Sequence, residues 1–270
     1  MAKPIGYFHG RPRPVADWII PEFLKRGNTA FIIGQPKKAC KSWLLLNLAW
    51  DLSDSVPVWG VTHSKNGPVF QPPRPMRVVY FTQEDTEDDV QDRAEIMIAG
   101  GRKPNNRLWV VPKNLSFVLD TTEKSMPIQS ELDAVVQQSG PIDLIIFDPM
   151  RRMHGLDEND SGAMARIWAA LDVFQRRYNC AVIFSHHIIK PPTAKGSTFD
   201  LTNPYAARGS GDIFAAGDAF ANVIPYSTKG QPTTYQCEDL HFVVKRTKTP
   251  TSIRLQLDFT TGAVSFVGFI

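Results

Sequence analysis

A lysine and a serine stand together seven residues after a glycine that closes an apolar run: TAFIIG, ending at Gly34, then QPKKAC, then Lys41 and Ser42. A phosphate-binding loop needs a strand that stops abruptly and backbone N–H groups turned inward. It also needs a lysine for the β/γ oxygens and a hydroxyl for Mg²⁺ at a helix start. All of these parts occur here in that order. Two departures stand out. One residue more than usual precedes the lysine, and Cys40 occupies the place of the usual second glycine. A non-glycine there constrains the backbone, so the loop is expected to be wider or differently turned. The candidate nucleotide contacts are Gly34, Lys38, Ala39, Cys40, Lys41, Ser42 and Trp43, with ATP and Mg²⁺ as the implied ligands. The competing reading is a solvated basic turn, and only the other strand ends decide between the two.

Three further apolar runs end in polar residues that suit such a site. MRVVYFT leads into Gln83, Glu84 and Asp85; IDLIIF leads into Asp148; CAVIFS leads into His186 and His187. Ligands of open α/β sheets bind beyond the carboxyl ends of the strands. Asp148 suits the acid that supports hydrated Mg²⁺ opposite Ser42. Glu84 suits a general base that orients and deprotonates water. His186 or His187 suits a sensor of the γ-phosphate. Each has a dull explanation alone, because strand ends are wet; the set of four does not.

The elements that must position these residues follow from patterning. Apolar runs at 29–34, 76–82, 107–111, 115–119, 142–148 and 180–185 read as strands. KSWLLLNLAWDL, 129–138 and 161–178 read as helices, and a further helix follows the acidic EDTEDD, whose charge suits a helix N-terminus. Near-continuous apolar strands alternating with helices indicate an α/β fold: a mostly parallel twisted sheet covered on both faces. Four strands with little helix between them, from Ala219 to Val267, add a C-terminal antiparallel extension. Residues 54–75 read as a loop. The organisation expected is an irregular N-terminal arm, 1–27, and one domain, 28–270.

Composition is that of an ordinary globular protein: 270 residues, 43% hydrophobic, 21% charged, net charge +3. No apolar run approaches the roughly 20 residues of a membrane span. Three scattered cysteines form neither a disulfide framework nor a zinc knuckle and suit a cytoplasmic location.

Taken in order, GQPKKACKSW, VVYFTQED, LIIFDPMRRMHGLDENDSGAM, AVIFSHH and ARGSGDI resemble the RecA-like P-loop ATPases of the RepA type. These are the small hexameric replicative helicases of plasmids and related ATPases of phages and integrated elements. The resemblance spans about Trp18 to Asp258, and 145–164 is its most specific part. It implies a RecA-like core in which Lys41 and Ser42 contact phosphates and Mg²⁺, Glu84 is the catalytic glutamate and Asp148 the metal-supporting acid. It implies His186 as sensor with His187 beside it, and Arg208 near a subunit boundary, acting in trans. Arg246 and Lys248 fall where related helicases carry basic fingers for a neighbour's nucleotide. The loops after the third and fourth core strands would face a central channel. Arg151, Arg152, Lys190 and Lys195 would meet single-stranded DNA there without base readout. The expected assembly is a homo-oligomer, a hexamer, with no membrane partner. Two alternatives stay open: a recombinase-type filament ATPase, and a nucleotide-sensing DNA-binding module with little hydrolysis, for which Cys40 is the support.

Overall fold

The computed structural model describes residues 2–9, 12, 15–62, 70–121, 123–188, 200–203, 207, 209, 211–227 and 232–270. Strands β1 (Trp18–Ile20) and β2 (Leu24–Lys25) form a small antiparallel pair. The main sheet follows. Its strands are β3 (Thr29–Gly34), β4 (Val78–Thr82), β5 (Leu108–Val111), β6 (Leu144–Asp148), β7 (Ala181–His187), β8 (Ala219–Tyr226), β9 (Tyr235–Val244), β10 (Ile253–Asp258) and β11 (Val264–Phe269). Their spatial order is β11-β10-β9-β8-β3-β7-β6-β4-β5. From β8 to β5 every pairing is parallel; from β8 outward to β11 every pairing is antiparallel. The expected parallel core with an antiparallel extension is what the chain forms.

Helices α1 (Lys41–Asp54), α2 (Glu87–Ala99), α3 (Met126–Ser139), α4 (Ser161–Tyr178) and α5 (Gly211–Ala216) complete the fold. Strand side chains alternate between faces. One set (Ala30, Ile32, Val78, Tyr80, Leu144, Ile146, Ala181, Ile183) packs in the core layer that holds α1. The other set (Phe31, Ile33, Val79, Phe81, Ile145, Phe147, Val182, Phe184) packs in the layer with α3 and α4. In that second layer Phe81, Phe147, Phe184, Phe31 and Phe220 stack in a row across five strands, with centroids 5.3–5.5 Å apart. The row ties the strands that carry the candidate site.

The structure departs from the sequence expectation in two places. Residues 115–119 form no strand: Leu115 is exposed, and only Phe117 and Leu119 turn into the core. The apolar run is too short and too interrupted to join a sheet that β5 already ends. The folded unit also starts before residue 28. Ile19, Ile20, Phe23 and Leu24 are buried in the main core, and Phe23 packs edge-on against Phe242. Among the described residues, no helix is long and apolar enough to cross a membrane.

Candidate active site

The chain leaves β3 for strands on one side and leaves β7 for β8 on the other, so the sheet changes winding direction around β3 and β7. A crevice beyond the carboxyl ends is the expected ligand site there. Gly34 pairs with His187, and Thr82 with Asp148, which brings all four strand ends level. The crevice, of about 340 Å³, is lined by Lys37, Cys40, Lys41, Ser42, Trp43, Glu84, Arg93, Asp148, Pro149, His187, Gln236 and Phe259.

The phosphate loop takes its shape from close approach. A Cβ at Gly34 would lie 2.7 Å from the Ala39 side chain and 3.0 Å from the Val223 carbonyl, so no larger residue fits. Cys40 stands at the N-cap of α1 with φ 39° and ψ 29°, the left-handed conformation that glycine adopts without cost. No side chain caps α1 at this end. Its first-turn N–H groups lack intrahelical acceptors and give that end the positive potential that attracts anions. Lys41 is buried, and its Nζ donates to the carbonyls of Gly34 (3.3 Å) and Gln35 (3.1 Å). Burial lowers its pKa, while the charges of Asp148, Glu84 and Glu238 oppose that shift.

Asp148 faces this loop from β6. The Tyr80 hydroxyl donates to its Oδ2 at 2.6 Å, and the Ser185 hydroxyl donates to Oδ1. These two bonds fix the plane of a carboxylate that is 4% exposed. Gln83 N–H donates to the Asp148 carbonyl, 2.8 Å, and locks the end of β4 to the end of β6. Glu84 follows, its side chain half exposed in the crevice, with Arg152 Nε 3.7 Å away. Its neighbour Asp85 does something else. It is buried, accepts from the Thr82 hydroxyl at 2.8 Å, and pairs with Arg93 at 2.8 Å. The acid that reaches the crevice is therefore Glu84.

Strand parity separates the two histidines. Ser185 and His187 share the α1 face with Asp148, and His187 lines the crevice. His186 points to the opposite face, is 1% exposed, and lies 4.0 Å from Glu158, which also approaches His154 at 3.7 Å. Of the two histidines offered as sensor, His187 faces the crevice and His186 does not, because side chains one residue apart on a strand face opposite ways.

A second depression, of about 510 Å³, adjoins the first and shares Glu84, Pro149 and His187 with it. Gln83, Lys113, Leu115, Arg151, Arg152 and His154 complete its lining. Arg151 also donates to the His154 carbonyl at 3.2 Å. Lys113, held to the β4 end by its N–H bond to the Asp85 carbonyl, was not legible in sequence. Burial, with Arg151 nearby, pushes His154 down to about 4. Lys190, Lys195 and Arg208 lie outside the described residues.

Arg246 and Lys248 follow the far end of β9. That strand runs antiparallel to β8, with Cys237 opposite Tyr226 near the phosphate loop and Val244 opposite Ala219 at the other edge of the sheet. Seven residue steps separate those ends, about 23 Å. The pair does not reach this chain's own crevice.

A family model described as "AAA domain" matches residues 4–192. The chain belongs to the AAA-domain family. Its fold is similar to that of a KaiC-like protein from the hyperthermophilic archaeon Pyrococcus horikoshii OT3, at 10% identity and a TM-score of 0.54. That likeness covers 90% of this chain and 91% of the other. The AAA-domain match and the fold make this a P-loop ATPase with a RecA-like sheet. The Mg²⁺ that such ATPases use fits the residues present. The Ser42 hydroxyl and the Asp148 carboxylate are hard oxygen donors that line one crevice, the ligand type this ion prefers. Among the described residues, no group of three or more His, Cys, Asp or Glu could hold another metal. The AAA-domain match ends before β8, so the strands behind the phosphate loop lie beyond it. Arg93, Gln236 and Phe259 line the crevice from outside the quoted motifs and were missed in sequence. Arg93 lies over the Trp43 ring at 5.5 Å, and Gln236 comes from β9.

Proposed function

We propose that this ATPase is a ring-forming motor that moves along or unwinds single-stranded DNA, of the replicative-helicase type found in plasmids, phages and mobile elements. The observation that carries this reading is the shared wall: Glu84, Pro149 and His187 line both the phosphate crevice and the cationic depression. A group that moves at the γ-phosphate therefore touches the surface on which a polyanion would lie.

The roles follow from position. Lys41, turned onto loop carbonyls, is freed to meet the β/γ-phosphates, and the α1 N-terminus receives the phosphate oxygens. Mg²⁺ when bound supplies charge neutralisation between the phosphates, with Ser42 and Asp148 as its holders. Glu84 orients the attacking water and takes its proton. His187 senses the γ-phosphate. A groove lined by Lys37, Tyr226, Tyr235 and Phe259 opens off the same crevice and offers the base a flat apolar surface. Arg151, Arg152 and Lys113 bind DNA phosphates, joined by Lys190 and Lys195 from the following loop. Arg208, Arg246 and Lys248 act on a neighbour's nucleotide in a hexamer.

The test is single-stranded DNA binding against salt. Replacing Lys113, Arg151 and Arg152 by alanine should flatten the log–log salt slope by about 0.7 for each DNA phosphate that is no longer neutralised. ATP affinity should stay as in wild type. An unaltered slope would remove the channel assignment.

A further inference from the structure

We infer that Glu238 and Gln236, on β9, form a latch that holds the glycine-poor phosphate loop in its binding shape, with Glu238 as a positioning residue for Lys41. This inference rests on the reading of the crevice as an ATP site.

The loop needs outside support. Cys40 sits in the left-handed region, where a side chain is strained and glycine is not. Lys37, with φ 61°, is a second such position in the same loop. A loop with two strained residues keeps its shape only if its surroundings over-determine it. The surroundings here are β8 and β9. Val223 of β8 presses on Gly34 and pairs with Leu240 of β9. Gln236 donates its amide N–H both to the Lys38 carbonyl and to Glu238 Oε1. Glu238 is fully buried beside Cys40 and Lys41, and its second carboxyl oxygen, Oε2, has no hydrogen-bond partner among the described residues. One strand thus grips the loop at Lys38 through Gln236, and Glu238 holds Gln236 in place next to Cys40 and Lys41.

The burial of Glu238 makes little sense as packing. A lone carboxyl at 0% exposure costs stability unless partners repay it. Its neighbours are Gln236, Cys40 and Lys41, all of which line the ATP crevice. Removing the carboxyl should release Cys40 from the left-handed conformation and leave Lys41 without its neighbour. ATP would then have to reorganise the loop on binding, which lowers affinity without touching the chemical step.

The experiment measures MgATP affinity, KM and kcat for four proteins: wild type, Glu238→Gln, Glu238→Ala, and Glu238→Ala combined with Cys40→Gly. Thermal melts accompany them. Glu238→Gln keeps the shape and an acceptor for Gln236, so its affinity should stay within about twofold of wild type. Glu238→Ala should bind ATP about tenfold more weakly with kcat nearly unchanged, a loss of about 1.4 kcal/mol. Adding Cys40→Gly should restore most of that affinity, because glycine holds the left-handed conformation without a latch. Destabilisation alone would not be repaired by a glycine. Wild-type affinity in Glu238→Ala overturns the latch, as does a weak double variant in protein that melts normally. Wild-type protein that binds no ATP overturns the nucleotide reading and the latch together.

Discussion

Lys41, Glu84 and His187 carry separate and measurable burdens. Lys41→Ala should abolish ATP binding and turnover, since the only other cations of the loop, Lys37 and Lys38, are exposed while Lys41 is held at the strand end. Calorimetric ATP titration checks this, and retained affinity would show that the loop is misplaced. Glu84→Gln should bind ATP and lose on the order of 10²–10⁴ in turnover, the usual worth of a general base. Asp85→Asn should instead lower stability by about 1–3 kcal/mol while turnover per folded molecule persists, because Asp85 bridges Thr82 and Arg93 rather than facing the crevice. The histidines divide the same way: His187→Ala should slow turnover, and His186→Ala should lower the melting temperature first. Much of this was legible in the sequence. Strand ends Gly34, Thr82, Asp148 and Ser185 mark the site through their apolar runs. The choice between His186 and His187 was not legible, because both faces of this strand are buried and only the sheet packing tells which one meets the crevice. The resemblance to RepA-type ATPases pointed to the other residue.

At the scale of elements, β9 has the most to say. Glu238 belongs to a strand expected only as part of an antiparallel extension, and no motif marks it. Its role arises because β9 runs antiparallel to β8 and so returns its first residues to the phosphate loop. Strand order of this kind is a long-range property that local patterning does not contain. Burial, with Gln236, Lys41 and Cys40 opposing it and Asp239 adding to it, pushes Glu238 from 4.5 up to about 8. The folded state then holds this proton more tightly than the unfolded state. Its contribution to stability is full below about pH 4.5 and is lost as pH rises to about 8. Glu238→Gln should therefore gain stability relative to wild type across that window, read from denaturation midpoints at pH 5 and pH 9. Parallel pH curves for the two proteins would contradict a buried, titrating Glu238. The strand expected at 115–119 shows the opposite limit, since an apolar run alone does not say whether a sheet edge is there to receive it.

For the whole molecule, the sheet places the ATP crevice and the cationic depression at one edge, and Arg246 and Lys248 at the other. In the proposed hexamer a second copy would bring those cations near a nucleotide. Mixing Lys41→Ala with Arg208→Ala, each inactive alone, should return partial activity if Arg208 works across an interface. An arginine finger typically adds 10³–10⁵ in rate. No recovery at any ratio, with assembly confirmed by mass in solution, would assign Arg208 to its own chain. In the proposed motor, the wall of Glu84, Pro149 and His187 that both hollows share would couple DNA to hydrolysis. Steady-state ATPase rate with and without single-stranded DNA, at low salt, tests it most directly. Wild-type turnover should rise when DNA is added, and the rise should shrink in a Lys113 and Arg151 double variant, which leaves the Arg152–Glu84 pair intact, while its DNA-free rate is kept. A wild-type rate indifferent to DNA that is demonstrably bound would contradict the account.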